Sequence, residues 1–213
     1  MPSASDLDAV TVDAMGTLVE LHEPVERLQQ ALGARGVERP REQVAEAFRR
    51  EVGYYLEHKL AARDPESLAA LRRECARVFL EAAETDIDPA EFSPAFVEAM
   101  VFRPLDGAVP ALERLRGAGL SLACVSDWDI GLREQLAKVG LDHLFDLVLT
   151  SAEAGAPKPE PTLFLEALAR LGVEPGRAVH VGDGEADRDG AGAAGLSFEP
   201  VPLATVPERL GVR

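Results

Sequence analysis

Four short polar segments hold the residues best suited to chemistry. They are Asp13-Ala14-Met15-Gly16-Thr17, Ser126-Asp127-Trp128-Asp129, the stretch around Lys158 in "GAPKPEPTLF", and Asp183-Gly184-Glu185-Ala186-Asp187. A carboxylate such as Asp13 can attack phosphorus to give an aspartyl-phosphate, which water then hydrolyses. Ser126 and backbone N–H groups can hold phosphoryl oxygens, and Lys158 can offset charge on the nucleophile and on the group in transit. Asp183 and Asp187, four residues apart in one loop, suit a magnesium ion, which prefers few carboxylates and several waters. Each segment alone has an ordinary structural reading. Asp13 could be a turn aspartate, Ser126 a helix cap, Lys158 a solvated loop cation, and "VGDGEAD" a Gly/Asp turn. Their order, and their place after successive apolar runs, point instead to phosphoryl transfer to a carboxylate.

The elements that must position these residues alternate in texture. Strands are expected over 8–13, 120–125, 145–149, 177–182 and 196–201, with helices over 109–116, 131–139, 161–171 and 190–195. Apolar strands alternating with helices imply a doubly wound parallel sheet covered on both faces. In such sheets ligands bind beyond the carboxyl ends of the strands, where the four polar segments fall. Between the first strand and the rest lies a long helical stretch. Pro24, Pro40, Pro65 and Pro89 each open an amphipathic helix, and residues such as Val44, Phe48, Val52, Leu56 and Leu60 recur every fourth position. We therefore expect an α/β core domain of residues 1–18 and 104–213, and a helical-bundle cap domain of residues 19–103. The Pro-rich tail "EPVPLATVPERLGVR" is expected to lie over the surface.

Composition narrows the function classes. An apolar content of 46% and a charged content of 28% are those of an ordinary globular chain. No apolar run approaches the roughly 18 residues that span a bilayer, and the N-terminus lacks the basic and apolar regions of a secretory signal. A cytoplasmic protein with no membrane partner is the expectation. The formal charge of −15 argues against nucleic acid, whose phosphates would be repelled. Cys75 and Cys124 have no metal-ligand spacing and read as buried free thiols. Nothing in the sequence separates a monomer from a homodimer.

The motifs "VTVDAMGTL", "LACVSD", "GAPKPEPTLF" and "VHVGDGEADRDGAGAAG" resemble, in order and spacing, those of the haloacid dehalogenase-like hydrolase superfamily, and the likeness covers nearly the whole chain. The helical stretch falls where capped members carry their insertion. The resemblance implies Asp13 as nucleophile, Lys158 as charge-neutralising lysine and Ser126 as phosphate-binding hydroxyl, with Thr17 and Asp127 also on the substrate side. It implies Mg2+ held by Asp13, the backbone carbonyl of Met15 and Asp183, with Asp187 supporting the metal's water shell. Two positions depart from the pattern. Family phosphatases carry a second aspartate where Met15 stands, and Met15 can neither protonate a leaving group nor activate water. The usual asparagine after the serine is Asp127. The opening "DAMGTLVELHEP" also resembles a subgroup of capped members that lack the second aspartate.

Three activities follow as alternatives. The first is a magnesium-dependent phosphatase of a small phosphorylated metabolite, with Asp129 as the relocated acid/base and Glu20 or His22 as weaker candidates. The second is a dehalogenase-type hydrolase attacking carbon, which "DAMGT" resembles but which has no need of Asp183 and Asp187. The third is a catalytically impaired member that binds a phosphometabolite or a protein. Other residues take ordinary readings: His180 as a strand residue facing a helix, Lys59 as a solvated helix lysine, Tyr54 and Tyr55 as packing within the helices, and Trp128 as a packing residue.

Overall fold

The computed structural model describes residues 4–212. In chain order its elements are β1 (Ala9–Val12), β2 (Val19–Leu21), α1 (Pro24–Gly33), α2 (Arg41–His58), α3 (Pro65–Ala82), α4 (Pro89–Ala99), β3 (Phe102–Pro104), α5 (Ala108–Gly117), β4 (Ser121–Ser126), α6 (Leu132–Lys138), β5 (Leu147–Thr150), α7 (Ser151–Ala154), α8 (Thr162–Leu171), β6 (Ala178–Gly182), α9 (Glu185–Ala193), β7 (Ser197–Pro200) and α10 (Val206–Arg209). The chain divides into two compact units. One combines the chain up to Glu20 with the chain from Arg103 onward, and the other is Leu21–Phe102.

The first unit is built on a five-stranded parallel sheet of order β5-β4-β1-β6-β7. β1 is central and buried at every residue, as its run Ala9-Val10-Thr11-Val12 requires of a strand covered on both faces. Register decides what meets at the sheet's carboxyl edge. Val12 lies opposite both Cys124 and Val181, so Asp13, Ser126 and Asp183 all emerge within about one residue of each other. Below that edge Val125, Leu149, Leu163, Phe164, Leu168 and Leu196 form one apolar core. The parallel α/β architecture is the one expected from the alternating pattern.

Two parts of this unit differ from the sequence reading. The helix expected over 190–195 starts at Glu185, five residues earlier, so Asp187 lies in the first turn of α9 and not in a loop. Its Oδ2 accepts the Gly184 N–H at 3.1 Å, which satisfies one of the donors a helix start leaves unpaired. The small residues that follow serve close packing. A Cβ on Gly190 would stand 2.6 Å from the Phe164 ring and 3.1 Å from the Pro159 carbonyl oxygen. The Pro-rich tail is not a surface strap either. Leu203, Val206, Pro207 and Leu210 are buried, and the turn at Leu203–Thr205 and α10 pack on α5. Arg114 of α5 fastens the tail by pairing with Glu208 and by donating to the Val212 carbonyl at 2.7 Å.

In the second unit α2 packs on α3, α3 on α4, and α1 on both α2 and α4. Pro24, Pro65 and Pro89 each occupy a first helical turn, where the missing N–H costs nothing, and Asp64 and Asp88 cap α3 and α4. Phe79, Phe92 and Phe96 anchor the core, with the Phe79 ring centroid 5.6–5.9 Å from the other two. The stripe expected on α2 is corrected. The buried face carries Val44, Ala47 and Glu51, whereas Leu56 is 55% exposed. A line of every fourth residue advances about 400° per step, so it drifts off a face that repeats every 3.6 residues. Lys59 just beyond α2 is buried, not solvated. The short strands β2 and β3, below the length that patterning reveals, pair where the chain leaves and rejoins the first unit. Among the described residues no helix is long and apolar enough to cross a membrane.

Candidate active site

Asp13 follows β1 directly, and its N–H bonds the Val181 carbonyl at 2.9 Å, which ties the turn to β6. The turn closes through Leu18 and Val19, whose N–H groups both reach the Ala14 carbonyl. Gly16 is required here twice over. Its φ is +75°, and a Cβ there would lie 2.2 Å from an Asp183 carboxylate oxygen. Thr17 is buried, and its hydroxyl has no hydrogen-bond partner among the described residues.

Lys158 enters from the loop before α8. Its ammonium sits 2.7 Å from Asp13 Oδ1 and 2.6 Å from Asp187 Oδ1, and it lies 5.7 Å from the centre of the Phe164 ring. Its backbone N–H donates to Asp127 Oδ1 at 3.0 Å, so Asp127 anchors the lysine's loop to the end of β4. Ser126 is buried at that strand end. Asp129, on the same turn, is buried and accepts the Gly131 N–H at 2.6 Å. Asp13, Asp183 and Asp187 each offer an oxygen, all within 4.8 Å of one another, and Asp183 is the exposed member. Asp129 does not belong to this group.

The three clustered carboxylates and the one ammonium that pairs with two of them leave a formal excess of two negative charges. Burial raises the Asp13 carboxyl above its ordinary range and Asp187 adds to the effect, while Lys158 opposes it. Burial alone would lower the Lys158 ammonium, but Asp13 and Asp187 outweigh it and the net direction is upward, so the lysine stays charged. Burial likewise works against ionised Asp187, yet hydrogen bonding from His180 and the charge of Lys158 carry it well below the usual carboxylate range. Asp187 is thus the firmly ionised partner of Lys158. Burial pushes the Cys124 thiol far upward, which leaves it protonated and inert.

Of the residues singled out by sequence, Asp13, Lys158, Asp183 and Asp187 come together directly, and Gly16 and Asp127 hold them in place. Glu20 is instead paired with Arg103 at 2.7 Å, and His22 lies 3.5 Å from Glu23. Two further residues join the site: Thr11, which the sequence reading does not single out, and His180, expected only as a strand residue facing a helix. His180 Nε2 contacts Asp187 Oδ1 at 2.9 Å, and its Nδ1 contacts the Thr11 hydroxyl at 2.8 Å. The signal for them in the sequence is a polar residue at equivalent places in two otherwise apolar strands.

A family model described as a haloacid dehalogenase-like hydrolase matches residues 7–195. Haloacid dehalogenase-like hydrolase domain-containing protein 3 of Mus musculus is 44% identical over 102 residues, covering 47% of this chain and 41% of its own. Phosphoserine phosphatase of Thermus thermophilus is 40% identical over 140 residues, covering 62% and 56%. The chain thus spans about half the length of these curated relatives. A crystal structure of a HAD phosphatase from Thermococcus onnurineus has a TM-score of 0.63 and 27% identity, covering 97% of this chain and 99% of that one. With the strand-end carboxylates, the lysine and the glycine turn in place, the chain belongs to the haloacid dehalogenase-like hydrolase family.

Proposed function

We propose that the chain is a magnesium-dependent phosphatase of a small phosphorylated metabolite, acting through an aspartyl-phosphate on Asp13. The observation that carries this reading is the gathering of Asp13, Asp183 and Asp187 within 4.8 Å of one another, with a single ammonium paired to Asp13 and Asp187. Such a site repels a phosphate unless a cation offsets it, and hard oxygen donors with an exposed member suit a hydrated divalent ion. The absence of a Cβ at Gly16 leaves room for the Asp183 carboxylate beside the turn. Asp13, Asp183 and the Met15 carbonyl would hold the ion. Asp187 Oδ1 already takes two protein donors, so Asp187 would support the ion's water shell rather than bind it directly. Bound magnesium would offset the charge of the carboxylates and of the transferring phosphoryl group.

Asp13 attacks phosphorus, the bond to the leaving oxygen breaks, and water then frees phosphate from Asp13. Lys158 keeps Asp13 oriented and part-neutralised. Ser126 and the unpartnered Thr17 hydroxyl supply donors for phosphoryl oxygens, since a buried hydroxyl without a partner is costly unless a ligand takes it. Asp129 is the acid/base candidate, fixed on the Ser126 turn by the Gly131 N–H. The phosphatases among the relatives support this reading. A screen of small phosphoesters and haloacids, with and without magnesium, tests it. Magnesium-dependent phosphate release that disappears in Asp13→Asn is expected; halide release without metal would overturn it.

A further inference from the structure

The parallel register of β1 and β6 sets Thr11 directly beside His180, and both side chains are fully buried. From this pair a line of hydrogen bonds runs to the nucleophile. Thr11 Oγ1 meets His180 Nδ1 at 2.8 Å, and His180 Nε2 meets Asp187 Oδ1 at 2.9 Å. The same Oδ1 takes the Lys158 ammonium at 2.6 Å, which in turn reaches Asp13 at 2.7 Å. We propose that His180 is a positioning residue, whose Nε2–H holds Asp187, and through it Lys158, at the distance the nucleophile requires, with the Thr11 hydroxyl fixing the ring.

The chemistry of the partners sets the direction of each bond. An ionised carboxylate only accepts, so Nε2 must carry the proton. In the neutral ring Nδ1 is then bare and accepts the Thr11 O–H. Exchanging the tautomer would set a bare nitrogen against a carboxylate and remove the bond. Packing alone does not explain a histidine here. The ring lies edge-on to Phe164 at 4.8 Å and near Phe198 at 6.4 Å, an environment that an apolar side chain would fill without burying two polar atoms. Asp187 also needs a second support. Its Oδ2 has the Gly184 N–H, while Oδ1 depends on the His180 ring to stay aimed between helix and lysine. Partners one step behind a site's functional groups are commonly worth about 10–100-fold in activity.

The effect on turnover rests on the reading of Asp13 as nucleophile; the hydrogen-bond state of His180 does not. Nitrogen-15 NMR of the histidine-labelled full chain, with His180 assigned by its loss in His180→Gln, reads that state directly. A protonated Nε2 and a bare Nδ1 are expected, and Thr11→Val should shift the Nδ1 resonance toward that of a nitrogen without a donor. A bare Nε2, or a Nδ1 indifferent to Thr11→Val, overturns the proposal. On 4-nitrophenyl phosphate with magnesium, His180→Leu should lower kcat at least about tenfold with KM little changed. His180→Gln, which keeps a donor, should recover most of it. Equal loss in both variants, tracking a fall in thermal midpoint, would mark His180 as merely structural. If the wild-type chain turns over no phosphoester, the phosphatase reading fails, and the NMR result alone decides the role of His180.

Discussion

Met15 stands two residues after the proposed nucleophile and is 38% exposed, so its side chain is not core packing, and a thioether is no acid. General acid/base help is worth roughly 10²–10⁴-fold. Met15→Asp should therefore raise kcat on phosphoesters within that range. The magnesium requirement should be unchanged, because the proposed metal contact at this position is a backbone carbonyl; steady-state kinetics over a magnesium series reads both. Gly16 gives the converse case. A left-handed φ costs a non-glycine residue about 1–2 kcal/mol, and the new Cβ would displace the Asp183 carboxylate. Gly16→Ala should lower the thermal midpoint modestly and raise the magnesium concentration for half-activation by about tenfold or more. An unchanged magnesium titration would separate Asp183 from the metal site.

At the scale of elements, α2 buries Glu51 on the face that meets α3, in hydrogen-bond contact with Cys75. Burial raises its carboxyl to about 7, and the Cys75 contact opposes this only in part. The folded state then binds more protons than the unfolded chain between the ordinary Glu value and about 7, so stability falls as pH rises through that window and stays lowered above it. A tenfold change in proton affinity corresponds to about 1.4 kcal/mol, which sets the scale of the loss at a few kcal/mol at most. Glu51→Gln should raise the thermal midpoint at pH 8 and change it little at pH 4.5; equal effects at both would contradict the burial argument. The same helix shows how far element patterns can be read. Its existence follows from Pro40 and the recurring apolar residues, but its buried face does not, because a four-residue repeat and a 3.6-residue helix part company within a few turns. The start of α9 is hidden for another reason: Asp183-Gly184 reads as a turn, whereas Gly184 is the residue from which the helix starts.

For the molecule as a whole, the parallel sheet is legible because apolar strands alternate with helices and because motifs recur at strand ends. Asp13, Lys158, Asp183 and Asp187 can be named from sequence since their types and order suit one chemistry. The link from Thr11 through His180 cannot, because it depends on the register of strands 169 residues apart. The tail misleads because its prolines suggest a surface path, whereas Leu203, Val206 and Leu210 recur closely enough to bury against α5. What joins these parts is a claim about one atom, an Asp13 carboxylate oxygen that becomes bonded to phosphorus. Acid-quenching the full chain during turnover of a phosphoester with magnesium, followed by mass spectrometry of the Asp13 peptide, tests it most directly. The expected result is one phosphoryl group on Asp13, absent without magnesium and in Asp13→Asn. An unmodified Asp13 under steady phosphate release, or an adduct through carbon from a haloacid, would contradict it.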